Sequence, residues 1–108
     1  MRRVEELVEW LRDPKNVLFL SLAIAIYDSV MFGDEEWVEV SKVFEKLFAP
    51  RENVERALRV LCEKGIAMVR EGRVTLTPLG IEVVERARWG KVLTPSWERR
   101  DRSIRSTA

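Results

Sequence analysis

Apolar residues recur at helical spacing along most of the chain, which predicts a mostly helical protein. Between Val4 and Leu11 they lie at positions i, i+3, i+4 and i+7, so one face of a short first helix is apolar. A second helix is predicted from about Pro14 to Phe32. Asp13 is a typical N-cap, Pro14 suits the first helical position, and Gly33 is predicted to provide a left-handed stop.

The second helix is apolar nearly all the way round, which predicts burial on most of its sides. A narrow stripe of small or polar residues interrupts it at Ser21, Ala25, Asp28 and Ser29. Because so short a chain has little other material to cover this helix, we predict a homodimer through helix 14–32. The apolar run 17–32 has 16 residues, against about 20 for a membrane span, and it starts too late for a signal peptide; we therefore predict no membrane segment.

The middle of the chain predicts two further helices after a brief extended segment. Residues 37–40 are too few for an independent strand and need a partner strand elsewhere. Apolar positions between Val40 and Phe48 predict a helix of about two and a half turns. The next helix is predicted from Pro50, at the first helical position, to Lys64, with Gly65 as its stop.

From Ile66 the apolar period changes to two, which predicts a β-hairpin whose turn is Glu71-Gly72. Thr77-Pro78 then begins a last helix that ends near Trp89-Gly90, and residues 91–108 form a tail without a sustained apolar period. The predicted fold is mostly α with a small β-hairpin. Residues 1–90 form one domain, of which 1–33 are the N-terminal helices.

Composition excludes most familiar catalytic sites. Among 108 residues there is no His, a single Cys (Cys62), and no glycine-rich phosphate loop among five Gly. We therefore expect no enzymatic activity, no cofactor and no metal site, and the lone Cys suits a reducing cytoplasm. Gln is absent and Asn occurs twice, a composition associated with proteins from very hot environments.

Charge is unevenly distributed along the chain. Residues 1–50 carry 6 basic and 10 acidic groups, a net charge of −4, whereas residues 51–108 carry 13 and 8, a net charge of +5. The helix 51–64 has 4 basic and 3 acidic groups, a modest excess for a nucleic-acid-binding helix. Residues 86–105 have a net charge of +5, so the tail provides much of the basic character.

The segment "WVEVSKVFEKLFAPRENVERALRVLCEKGIAMVREGRVTLTPLG" resembles the winged helix-turn-helix domains of prokaryotic, archaeal-type transcription regulators. Within it, "NVERALRVLCEKGIA" is similar to a recognition helix leading into a wing, and "GRVTLTPLG" to the second wing strand leading into the last helix. The resemblance covers about residues 36–89 and does not distinguish between MarR-like, PadR-like and ArsR-like branches. It implies a winged helix-turn-helix fold with extra N-terminal helices and a dimeric, sequence-specific regulator of double-stranded DNA.

The resemblance also implies where DNA is contacted. The helix that begins at Pro50 would enter the major groove while the Glu71-Gly72 turn lies on the adjacent backbone. The candidate base-reading side chains are Asn53, Arg56 and Arg59, with Arg51 on the same helix face, and the candidate phosphate-binding side chains are Arg70 and Arg73 at the hairpin. The basic charge of the tail, which lies outside the resemblance, adds Arg99, Arg100 and Arg102 as candidate phosphate contacts.

Three alternatives remain open at this stage. Arg56 and Arg59 could instead pair with Glu52, Glu55 or Glu63 on a solvent-exposed helix face, and the tail could be an inert, solvated terminus. The same surface could also serve a winged helix that acts as a protein-protein interaction module within a larger assembly.

Overall fold

A computed structural model describes residues 2–93 of the chain. In this range it contains helices α1 (Arg2–Arg12), α2 (Val17–Phe32), α3 (Val40–Phe44), α4 (Arg51–Glu63) and α5 (Pro78–Trp89), and strands β1 (Val38–Glu39), β2 (Ala67–Arg70) and β3 (Arg73–Leu76). The prediction of a mostly helical domain with a small hairpin is confirmed at this level.

Helix α2 forms the centre of the described structure. Leu22, Ala23 and Ile26 are fully buried, and the helix packs against α1, α3, α4, α5 and the sheet. The predicted helix 14–32 begins as a 3₁₀ turn over Pro14–Asn16, and Asp13 caps it by accepting a 2.9 Å hydrogen bond from the Lys15 amide. The left-handed stop predicted at Gly33 is wrong, because this residue is extended (φ −97°, ψ 179°) as the chain leaves toward β1.

The stretch Pro14–Phe32 has 19 residues and a window of mean hydropathy 1.4, which is long and apolar enough to cross a membrane by length and composition alone. One third of that window is buried inside the molecule. Core helices of soluble proteins and signal sequences also reach this length and hydropathy, and the absence of a membrane segment stays a prediction.

The three strands form one antiparallel sheet in the order β1-β3-β2. The partner that the short segment near Val38 required is β3, with Val38 opposite Val74. Glu71 and Gly72 both have positive φ, 51° and 78°, which forms the tight two-residue turn predicted for the hairpin. The Val40 amide donates a 3.0 Å hydrogen bond to the Gly72 carbonyl, so the hairpin turn is fixed to the start of α3.

Helix α3 is shorter than predicted. It ends at Phe44, and the amides of Lys46 and Leu47 bond to carbonyls three residues back in tight turns. The predicted continuation to Phe48 is wrong: Ala49 precedes a proline, which disfavours helical backbone, and the chain must turn to bring α4 across α2. Pro50 is the N-cap of α4 rather than its first helical residue.

Helices α1 and α5 pack against each other and close the core. The Arg3 guanidinium donates a 2.7 Å hydrogen bond to the carbonyl of Lys64 at the end of α4. On α5, the Thr77 hydroxyl caps the helix by accepting from the Gly80 amide, as predicted. The buried Glu85 carboxylate accepts hydrogen bonds from the Tyr27 hydroxyl at 2.7 Å and from the Leu93 amide at 2.8 Å.

Candidate nucleic-acid interface

Helix α4 has one buried face and one exposed face. The buried side chains are Val54, Ala57, Leu58 and Leu61. At 100° per residue, Arg56 and Arg59 lie near the middle of the opposite face, and Glu52 and Glu63 lie on the same face toward its two ends. The helix therefore presents two adjacent guanidinium groups to solvent, with one carboxylate beyond each.

The ion pairs of α4 leave these two arginines unpaired. Arg51 pairs with Glu55 at 3.5 Å, whereas no residue from 2 to 93 forms a salt bridge with Arg56 or Arg59. The alternative in which both are held by glutamates on a solvent face is thus not the arrangement in this structure. Exposed i,i+4 pairs stabilise a helix by only about 0.3–0.5 kcal/mol, so an external anion competes with them easily.

A cleft of about 1020 Å³ separates α4 from the hairpin. Its walls include three of the arginines singled out from the sequence: Arg51, Arg59 and Arg73. Asn53, Arg56 and Arg70 are exposed but do not line it. The structure thus brings Arg51, Arg59 and Arg73 to the cleft and leaves Asn53, Arg56 and Arg70 outside it.

The cleft also contains residues that the sequence did not assign to a site. Its lining includes four carboxylates, from Glu39, Glu55, Glu63 and Glu71, and an apolar part formed by Phe44, Leu58 and Val69. Glu39 arrives there because β1 pairs with β3, which sets Glu39 opposite Arg73. The sequence indicated this placement of Glu39 only through the short extended segment near Trp37, whose partner strand it did not identify.

Both hairpin arginines make contacts within the chain. The Arg70 guanidinium lies over the Trp37 ring, 5.4 Å from its centroid. Arg73 Nη1 donates to Glu35 Oε2 at 3.3 Å and to the Trp37 carbonyl at 3.4 Å. These contacts hold the hairpin against the loop that precedes β1, and the Arg73 side chain remains half exposed.

The other candidate residues fall outside this surface or outside the described part of the chain. Arg99, Arg100 and Arg102 lie beyond residue 93. Cys62 is half-buried beside the cleft, and burial together with the neighbouring Glu63 carboxylate raises the pKa of its thiol. Within residues 2–93 no group of three His, Cys, Asp or Glu side chains is placed to hold a metal ion.

Comparison with protein-family models, with curated proteins and with solved structures finds no match to this chain. The functional argument therefore depends on the geometry of its own residues.

Proposed function

We propose that this protein is a non-enzymatic, sequence-specific binder of double-stranded DNA and acts as a transcription regulator. In this proposal the domain is a winged helix: α3, the turn 45–50 and α4 are the helix-turn-helix, and the β2–β3 hairpin is the wing. The order of elements and the pairing of β1 with the hairpin support it.

The observation that carries the proposal is the pair Arg56 and Arg59 in the middle of the exposed face of α4, without ion-pair partners among residues 2–93. Guanidinium groups bind guanine O6 and N7 in the major groove, and each bidentate contact contributes about 1–3 kcal/mol of discrimination. Asn53, exposed in the first turn, suits an adenine.

The hairpin has a positioning role in this proposal. Arg70 and Arg73 flank its turn, where they contact phosphates and set the orientation of α4 on the duplex. Arg73 exchanges the Glu35 carboxylate for a phosphate, an exchange of one exposed anion for another. Glu71 at the turn opposes deep entry of the hairpin into a groove, so the proposed contacts are to the backbone alone.

The experiment that tests the proposal is binding of a fluorescent random-sequence duplex by the full chain as salt is raised, followed by selection of bound sequences from a randomised duplex pool. We expect the logarithm of the binding constant to fall linearly with the logarithm of the salt concentration. We also expect the selection to enrich one sequence motif. Absence of binding at 50 mM salt, or binding without enrichment of a motif, contradicts sequence-specific recognition.

A second candidate function, a protein-protein interaction module, is favoured by the cleft itself. Its four carboxylates against three arginines, beside Phe44, Leu58 and Val69, suit a basic and apolar segment of another protein better than a phosphate backbone. Recovery of a protein partner that survives nuclease treatment and is lost on Val69→Glu, a change at an exposed position, favours this candidate. Recovery that depends on nucleic acid contradicts it.

A further inference from the structure

A second, apolar groove of about 660 Å³ lies between α2 and the segment that joins α3 to α4. Leu18, Ser21 and Ile24 of α2 form one wall, and the segment 46–49 forms the other. Apart from Asp28, Lys46 and Ser21, the lining is apolar. This groove lies along the helix that the sequence predicted to associate with a second copy.

Phe48 stands at the edge of this groove and is fully exposed, because α3 ends early and the chain turns before Pro50. At the other end of the groove, the Val17 side chain is 62% exposed. An exposed aromatic ring thus lies beside an apolar groove on one surface of one chain. A twofold axis near such a surface places each ring in the groove of the other copy, which is the self-complementarity that an isologous dimer requires.

The charges of the groove agree with the same occupant. Asp28 and Lys46 both line it, and their charges are opposite. Each is held by its own chain: Asp28 receives a 2.6 Å hydrogen bond from Arg88, and Lys46 donates one of 2.7 Å to Ser29 Oγ. A twofold arrangement that sets Lys46 of one copy near Asp28 of the other gives the second copy an electrostatically complementary surface.

We infer that the groove between α2 and the segment 46–49 is a homodimer interface in which Phe48 of each copy occupies the groove of the other. The interface lies directly before the N-terminus of α4. By this arrangement the dimer fixes the spacing of the two α4 helices, a consequence that rests on the proposed function. The association itself does not depend on DNA.

The test is the oligomeric state of the full chain, measured by sedimentation without DNA for the native sequence and three variants. Protein concentrations from 1 to 100 µM cover the roughly micromolar dissociation constant of a weak specific complex. Phe48→Ser removes the ring, and Ser21→Arg fills the groove from the α2 side. Phe32→Ser is the matched control, since Phe32 is a 75% exposed phenylalanine at the far end of α2 and outside the groove. Thermal unfolding checks that each variant folds.

We expect the native chain and Phe32→Ser to dimerise, and Phe48→Ser and Ser21→Arg to raise the dissociation constant at least about 100-fold, because each symmetric dimer loses the contact twice. A native chain that stays monomeric at 100 µM overturns the inference. This holds whether or not the monomer binds to phosphatidylcholine vesicles in a separate sedimentation experiment. So does a dimer that Phe32→Ser weakens as much as Phe48→Ser. DNA affinity, measured separately, reports on the proposed function. A variant that loses the dimer but retains DNA binding shows that the failure of one proposal does not depend on the failure of the other.

Discussion

Arg73 and Glu35 form an exposed ion pair, with Nη1 3.3 Å from Oε2, that joins the hairpin to the loop before β1. The pair holds one of the proposed phosphate-binding groups against a carboxylate. The Glu35 carboxylate offsets part of the positive charge that Arg73 presents to a phosphate, so Glu35 opposes the DNA contact that the proposed function assigns to its partner.

Glu35→Gln should therefore strengthen binding to a random-sequence duplex by about 2- to 5-fold and make the salt dependence steeper by about one phosphate contact. Fluorescence anisotropy over a salt series measures both quantities. Glu36→Gln is the matched control, because it changes the net charge equally without touching Arg73. Equal effects of the two substitutions would show that Arg73 does not contact the backbone.

The Tyr27–Glu85 hydrogen bond, 2.7 Å long and fully buried, stabilises the core between α2 and α5. Tyr27→Phe removes this bond and should lower the free energy of unfolding by about 1–3 kcal/mol. Ser29→Ala removes the exposed bond of equal length from Lys46 and should cost less than about 0.5 kcal/mol. Urea unfolding compares the two, and equal losses would contradict the burial argument.

Gly80 allows α5 to approach the end of α4 and the start of β2. A Cβ atom at this position would overlap the Ile66 carbonyl oxygen. Because that oxygen belongs to the backbone, Gly80→Ala should destabilise the fold by about 3 kcal/mol. Gly72→Ala is the comparison, since its φ is +78° but nothing lies within 4 Å of the added atom; about 1–2 kcal/mol is expected from backbone strain alone. Thermal unfolding that ranks Gly72→Ala as the more damaging change would refute this account.

The raised pKa of Cys62 makes it a slow nucleophile at neutral pH. Burial and the Glu63 carboxylate disfavour the thiolate, so alkylation by iodoacetamide should rise with pH through a midpoint above the ordinary value of 9.0. Mass spectrometry of samples quenched at successive pH values gives this midpoint. A value at or below that of the urea-unfolded chain would contradict it.

The sequence predicted the elements whose signals are local. Asp13 and Thr77 are caps as expected, and the turn at Glu71-Gly72 follows from residues that tolerate positive φ. Helix length failed at α3, because apolar spacing up to Phe48 did not distinguish a helix from a turn that leaves the ring exposed.

The candidate site was less predictable, because part of it depends on contacts between residues that are far apart in sequence. Arg56 and Arg59 could be placed on the outer face of α4 from periodicity alone. Glu39, which shares the cleft with Arg59, arrives there through strand pairing. This pairing sets residues 39 and 73, which are far apart in sequence, opposite each other in space. Nothing local in the sequence encodes that pairing.

The central claim is that Arg56 and Arg59 read DNA from the exposed face of α4. The most direct measurement compares the affinity of the native chain, of Arg56→Ala/Arg59→Ala, and of Arg12→Ala/Lys15→Ala for the selected duplex and for a random one. The control pair removes the same charge from exposed positions on α1 and the turn after it.

The account predicts that Arg56→Ala/Arg59→Ala loses at least about 30-fold in affinity for the selected duplex and most of its preference over the random one, at about 1–3 kcal/mol per base contact. Arg12→Ala/Lys15→Ala should keep that preference. An unchanged preference in the α4 variant, or equal losses in both variants, would contradict the assignment of α4 as the reading helix.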